Sequence, residues 1–424
     1  MRFLIFLFYN LLIYPILFFF ISFLSLFSKK IRHGYIGRFR TNELLKNYFN
    51  KNIINPNIYW FHCSSFGEYL QVEPIINSIK KKKFDCVIIV SFFSPSGINN
   101  VKNKNIDCKV YIPFDFYWSV NEAFNIVKPK MIIFSSADLW YNFNYIAKNK
   151  NIKMLLIGAK SKNYFENKLN LFYHIYRPLY QSITKIYTIN KNDVNIYDRY
   201  IGGGKTTHLG NPRYDQVLLK SRKIPEKNKI PIDRRKNILL LASMHYEDRN
   251  VVLPGLVQYM KKNDNLELFW VSHEPVSREN KYLQSIFSRQ GISSEEINSL
   301  EELHNCTMRV KIINIIGVLA ELYWYAKIAY VGGGFSAGVH NVMEPAVAGV
   351  PTFFGPKYQN FDEAIQTINN EAGFVIKKGR DFIEKMDSLL NKQEKIILVS
   401  SQASMIIKNN IGSSERLVEE IISL

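Results

Sequence analysis

Two stretches of the chain hold residue types that could do chemistry. The first, Val331 to Pro356, reads VGGGFSAGVHNVMEPAVAGVPTFFGP. An apolar run from Ile328 to Val331 meets Gly332, Gly333 and Gly334; a polar loop follows, then a helix expected to open near Asn341 and a second strand from Pro351 to Phe354. A strand, a glycine turn and a helix N-terminus together suit an anion. Glycine lets the backbone approach closely, and free N–H groups point at the ligand. Pro345 is tolerated only in a first helical turn, which fixes the start of that helix. Glu344 stands three residues after Asn341 and has two readings. It completes an Asn-x-x-Glu helix cap, or its carboxylate grips ribose hydroxyls while the helix end faces a phosphate. The pattern leaves both open.

The second stretch is Ser64-Ser65-Phe66-Gly67-Glu68, which follows an apolar strand and opens a helix carrying Val72, Ile75, Ile76 and Ile79. Glu68 falls in the first turn, where the helix dipole favours an ionised carboxylate. With room for an incoming hydroxyl, such a carboxylate is a general base. The plainer reading is a glutamate that only complements the dipole. Glu73 and Asp138 are lesser candidates for the same role.

Cations that could offset a departing phosphate are Lys160, after the strand Met154 to Ile157, and Arg213, within Gly210-Asn211-Pro212-Arg213-Tyr214-Asp215. A solvated or salt-bridged side chain is the alternative for each, and the favoured one for the lysine. His273 and Glu274 end another strand, and Gly317 sits in Ile315 to Leu319 after a further one; these loops should flank the glycine stretch. Gly202-Gly203-Gly204-Lys205-Thr206 imitates the end of a Walker A motif, but Arg199 stands where the first glycine is needed, so it reads as a mobile loop. The eight histidines show no ligand cluster, and no Asp-x-Asp pair occurs. No catalytic metal is therefore signalled. The four cysteines, Cys63, Cys86, Cys108 and Cys306, lack CxxC spacing and fit a reduced compartment.

The elements that must position these residues repeat as strand, loop, helix. Strands are expected at Ile58–His62, Cys86–Ser91, Met131–Phe134, Met154–Ile157, Lys185–Ile189 and His208–Leu209. A second set covers Ile238–Ala242, Leu266–Val271, Val310–Ile313, Ile328–Val331 and Pro351–Phe354. Apolar runs between helices imply parallel sheets covered on both faces. The reading is α/β: two doubly wound, Rossmann-like halves with a cleft between them, ligands binding at strand C-termini. Expected bounds are an anchor at 1–28, an acceptor half at 29–220, a charged linker at 221–236, a nucleotide-sugar half at 237–403 and a C-terminal helix at 404–424 that could pack back on the first half. Phe3 to Phe27 is apolar and long enough to cross a bilayer. Lys29, Lys30, Arg32, Arg38 and Arg40 follow, which puts the rest of the chain in the cytoplasm. The net charge of +19 over 424 residues invites a nucleic-acid reading. Basic residues are spread with abundant Asn and Ile, without an RNA-binding signature, so nucleic acid is not expected.

Taken in order, several of these residues resemble the 3-deoxy-D-manno-octulosonate (Kdo) transferase family of lipid A biosynthesis. They are the anchor, Ser65 to Glu68, Ser94-Pro95-Ser96-Gly97, Leu139-Trp140 with Asn142, Gly210 to Asp215, Gly317, and above all Val331 to Pro356 with His340, Asn341 and Glu344. The likeness spans nearly the whole chain. It implies a GT-B fold and an inverting, metal-independent transfer of Kdo from CMP-Kdo to the lipid A precursor (lipid IVA). The place would be the bacterial inner membrane, with a single-pass anchor among its lipids, catalytic halves on the cytoplasmic side, and no cofactor besides the donor. Position by position it makes Glu68 the general base, with Lys160 near a family arginine and Arg213 at a family lysine. Ser272, His273, Ile316, Gly317, Val318, Asn341, Val342, Met343 and Glu344 fall on segments that hold CMP. This chain departs at Ser136-Ala137-Asp138-Leu139-Trp140, where the family often has Glu-Thr-Glu-Leu-Trp. It also departs at Asn314 for a common Asp, and at Ser272-His273 for a Pro-Arg pair. Lysine at 160 lacks the two-pronged phosphate contact of arginine. The alternatives are a tethered glycosyltransferase using a UDP-sugar, a sugar-nucleotide epimerase of the same fold, and a non-catalytic anchored scaffold.

Overall fold

The computed structural model describes residues 2–50, 57–83, 85–136, 138–274 and 276–424, with side chains from residue 5 onward. Ala137 and the side chain of Phe3 lie outside the described residues. The chain forms two compact units, Met1–Gln216 with Ile411–Leu424, and Val217–Asn410.

In the first unit β1 (Asn57–Cys63), β2 (Cys86–Phe92), β3 (Cys108–Tyr111), β4 (Met131–Ser135), β5 (Lys153–Ala159), β6 (Lys185–Thr188) and β7 (Thr206–His208) make one parallel sheet, ordered β3-β2-β1-β4-β5-β6-β7. Side chains alternate across a strand. Trp60 packs on one face with Ile89 and Phe124, while Tyr59 and Phe61 pack on the other with Tyr69 and Val72. Both faces are therefore dry, which is why β1 and β2 read as unbroken apolar runs. The second unit repeats the plan. There β8 (Ile238–Met244), β9 (Glu267–Ser272), β10 (Ser294–Ile297), β11 (Val310–Ile313), β12 (Ile328–Val331), β13 (Thr352–Phe354) and β14 (Gly373–Val375) run parallel, ordered β10-β11-β9-β8-β12-β13-β14.

In each sheet the order reverses at one point, between β1 and β4 and between β8 and β12. Loops leaving adjacent strand ends part there and open a crevice. Ser64 to Glu68 and Asp138 leave the first switch point; His245 and the Gly332–His340 loop leave the second.

The apolar N-terminal helix runs from Arg2 to Phe27 through a π-helical stretch at Tyr9–Ile13. Its Ile5–Phe27 portion is long and apolar enough to cross a membrane. One face nonetheless docks on its own unit. Tyr9 donates to Asp115 Oδ2 (2.8 Å), Asn10 donates to Asn142 Oδ1 (3.1 Å), and the Phe18 ring meets Phe114 and Phe116. Phe19, Phe20, Phe23 and Phe27 on the other side are exposed. Of the five basic residues that follow, Arg38 is buried, its guanidinium 3.9 Å from the Phe93 ring centre.

At the other end, the run read as a single helix from about Ser404 is two helices, Gln393–Asn410 and Ser413–Ser423, parted at Gly412 (φ 90°). Leu417, Val418 and Ile421 of the second pack into the core beside Val72 and Ile76.

Candidate active site

Glu68 sits in the first turn of the helix Phe66–Lys82, with Ser65 at its N-cap. Its Oε2 accepts a 2.5 Å hydrogen bond from the Ser64 amide, and its backbone carbonyl accepts from the Ser135 hydroxyl at the end of β4. Burial pushes the carboxyl up to about 7, with nearby Asp138 adding to the rise; the Ser64 amide, His62 and Lys162 only partly oppose it. The sequence reading, that the helix dipole holds this carboxylate ionised, is corrected. A dipole supplies about 0.3–1 kcal/mol, less than the ~1.4 kcal/mol that moves a pKa by one.

Asp138 shows the opposite balance. Burial pushes it up, but the His62 ring 3.1 Å away, with the Ser64 hydroxyl and Trp140, outweighs burial and holds it below the usual carboxylate range. His62 is fully buried, and its other ring nitrogen meets Ser91 Oγ at 3.0 Å. Two carboxyls at one switch point thus differ in protonation, which separates an acid–base group from a fixed charge. The third candidate, Glu73, lies further along the same helix, beside Tyr69.

Lys160 follows β5, and its carbonyl accepts from Tyr197 Oη. The cation that acts on Glu68 is Lys162, two residues on, which no spacing rule singled out. Arg213 opens the helix Arg213–Arg222, its amide held by Asn211 Oδ1 at 3.1 Å. In the same motif Asp215 serves the fold rather than the chemistry. Its two oxygens accept from the amides of Gly412 and Ser414 and cap the C-terminal helix. Gly202 and Gly203 close a helix. Both amides donate to Asp198 O and terminate the helix Lys191–Ile201, and Lys205 Nζ is tied to the carbonyls of Gln181 and Ile183.

In the second unit the glycine turn corrects a further expectation. Gly333 donates its amide to Asp248 Oδ2 at 2.7 Å, Phe335 donates to Oδ1, and Asp248 is fully buried. An internal carboxylate thus holds the amides that an external anion was expected to take. The glycines are needed for backbone packing instead: a Cβ on Gly332 would lie 2.2 Å from Ser243 O, and one on Gly334 2.4 Å from Gly355 N. The helix after Asn341 is also short, Met343–Val347. Asn341 Oδ1 caps the Met343 amide, but Glu344 forms no reciprocal cap; its Oε1 meets Lys220 Nζ at 2.7 Å. Val342 and Met343 are buried.

The remaining candidates stand on loops at the same sheet edge. Ser272 ends β9 and accepts from Trp270 Nε1; His273 follows it, exposed. After β11, Ile316 is 87% exposed and Gly317 takes φ 86°, with Val318 leading into the short helix Leu319–Leu322. Ser272 and His273 line a cavity of about 700 Å3 together with His245, Arg249 and Arg278.

The reading that the histidines form no ligand cluster is corrected here. His245, His273 and His340, 28 and 67 residues apart in sequence, bring their ring nitrogens within 4.8 Å of one another. Burial and mutual repulsion lower His340 to about 4 and hold His273 below its ordinary value. Linear spacing could not reveal this, because one residue comes from each of three loops.

Solved structures share the fold at low identity. UDP-GlcNAc 2-epimerase from Neisseria meningitidis superposes with a TM-score of 0.60 at 13% identity, covering 87% of this chain and 99% of that one. A glycosyltransferase from Rickettsia africae gives 0.55 at 14% identity, over 87% of this chain and 98% of its own. The two parallel sheets and these neighbours define a fold of GT-B type. Residues 35–216 match the family model for 3-deoxy-D-manno-octulosonic-acid transferase. The enzyme of that name from Rickettsia prowazekii is 22% identical over 92% of this chain and 84% of its own, and that from Aquifex aeolicus 25% over 84% and 92%.

Proposed function

We propose that this protein transfers Kdo from CMP-Kdo to a primary hydroxyl of the lipid A precursor, lipid IVA, with inversion and without a catalytic metal. The observation that carries the reading is Glu68, half-buried, tethered to the Ser64 amide and lifted to about 7. A base whose pKa lies near the working pH combines availability with driving force. In the proposed step Glu68 takes the proton of the acceptor hydroxyl. The oxygen attacks the anomeric carbon of Kdo from the face opposite the phosphate, the bond to the phosphate oxygen breaks, and CMP leaves. Lys160 and Arg213 offset the charge that develops on it. Ser272, His273, Ile316, Gly317, Val318 and Asn341 to Glu344 hold CMP at the C-terminal edge of the second sheet. For Glu344 to reach a ribose, Lys220 must yield.

The acceptor side rests on a cavity of about 600 Å3 in the first unit, beside the end of the apolar helix. Lys29, Arg32, Arg40 and Lys109 supply positive charge there, Ile36 and Leu44 apolar surface. A phosphorylated glycolipid offers both counterparts. The helix joins the inner membrane, with the two units on the cytoplasmic side where the basic residues follow it. The chain reads 22–25% identical to the relatives named above, which is why donor and acceptor are tested directly. Incubation with CMP-Kdo and tetraacyl lipid A precursor, read by mass spectrometry, should add Kdo to the lipid and release CMP. Transfer from a UDP-sugar but not from CMP-Kdo would overturn the reading.

A further inference from the structure

We propose that His245, His273 and His340 form a binding site for a divalent transition-metal ion at the switch point of the second sheet. Each histidine leaves the C-terminal end of a different strand, β8, β9 and β12, and these three are neighbours in the sheet. The backbone fixes two of the three: the His273 amide donates to Met244 O at 3.0 Å and the His340 amide to Gly332 O at 3.1 Å. The third, His245, is the N-cap of the helix Tyr246–Lys262 and accepts from the Arg249 amide. The backbone positions of the three histidines are therefore set by the fold before any ion arrives.

The side-chain geometry is close to what an ion needs. The Nε2 atoms of His245 and His340 lie 2.7 Å apart, and the ligand atoms of all three rings fall within 4.8 Å. Zn–N bonds of about 2.0–2.1 Å in tetrahedral geometry put nitrogens roughly 3.3 Å apart. Side-chain rotations have to part the 2.7 Å pair and draw in the third ring to reach that spacing. The rings now lie nearly parallel, at 15–20° to one another, so those rotations must turn their lone pairs to a common point. Among the described residues, the His245–His340 contact is the one hydrogen bond the three rings make, and it requires a single shared N–H. An ion takes the place of that proton, which moves to Nδ1 of the donor ring, and both Nε2 lone pairs become free to ligate. The buried carboxylate of Asp248 acts on His340 through its charge and partly offsets a dication.

Three imidazoles favour zinc, cobalt, nickel or copper over magnesium or calcium. Three protein ligands leave a fourth position open, as in zinc sites that bind water or an anionic oxygen. Two of the three, His245 and His273, line the cavity that Arg249 and Arg278 also line. The site does not depend on the assignment of His273 to CMP, because it is measured with no nucleotide present.

The test is titration of the full-length protein in detergent micelles with Co2+ near neutral pH, read by visible absorption and metal analysis. One ion per chain is expected, with the intense ligand-field bands of a four-coordinate site, displaced by Zn2+. His245→Asn, His273→Asn and His340→Asn should each weaken binding about tenfold or more, with folding checked by circular dichroism. His304→Asn, outside the cluster, should leave it unchanged. No saturable binding, bands of a six-coordinate aqua ion, or binding indifferent to the three substitutions would overturn the site. Should His340→Asn misfold, the exposed His273→Asn decides alone.

Discussion

At the scale of single residues, protonation is decided by burial and by which partner is nearest. Glu68 and Asp138 stand at one switch point, yet the first is lifted to about 7 and the second held low by the His62 ring. Only the ionised form of Glu68 can accept a proton, so kcat/KM should fall as pH drops through about 7, where an ordinary glutamate would give a limb near 4.5. Glu68→Gln should remove that limb with transfer itself, while CMP binding stays intact. A pH profile unchanged by the substitution would reject the base. Asp138 raises Glu68 through its charge, so Asp138→Asn should move the acid limb to lower pH. A limb that stays put would show that this charge does not reach the base. The place of Glu68 was legible in sequence, since a glutamate in a first turn after a strand is a recognisable pattern. Its protonation was not, because the neighbours that set it, Asp138 and Lys162, lie about 70 and 94 residues away along the chain.

At the scale of elements, what was legible was the buried interior of each sheet. Strands β1, β2, β4, β5, β8, β9, β11 and β12 carry long apolar runs because both faces are covered. The strands missed, β3, β10 and β14, lie at sheet edges. Ser294–Ile297 has exposed and half-exposed positions among its four residues, so no apolar run marks it. Capping across the chain was equally hidden. Asp215 lies about 200 residues before the helix Ser413–Ser423 whose first amides it accepts. Hydrogen bonds to a charged group contribute about 1.5–3 kcal/mol each, and they are partly exposed here. Asp215→Ala should therefore cost roughly 2–4 kcal/mol and lower the unfolding temperature by several degrees in a calorimetric scan. A loss under ~0.5 kcal/mol would mean the helix is held by Leu417, Val418 and Ile421 alone. The N-terminal helix makes a different case. Its docked face uses Tyr9, Asn10 and Phe18, leaving Phe19, Phe20, Phe23 and Phe27 outward. Changing Phe19, Phe23 and Phe27 together to Ser should release the protein from membranes on fractionation while leaving the docked contacts. Full retention would assign attachment to the basic residues instead.

At the scale of the whole molecule, the base belongs to one unit and the residues proposed for CMP belong to the other. Those second-unit residues sit at one sheet edge, at the end of β9, on the loop after β11, and on the loop and short helix after β12. The glycine turn that looked like the anion site is already occupied by Asp248, so donor phosphate has to be met by those loops and by the cations around them. Ligand-induced ordering should therefore be confined. Hydrogen exchange of the full-length protein with and without CMP should slow at 272–274, 316–318 and 340–344, and not at 64–68 or 136–142. UDP at equal concentration should slow it less, since the assignment is to a cytidylate. Protection that appears first around Glu68, or is equal for CMP and UDP, would move the nucleotide to the other sheet or to another base. The contrast is informative because the amides of Gly333 and Phe335, bonded to a buried carboxylate, should be protected in every state. They act as an internal reference against which slowing in the neighbouring 340–344 loop is read.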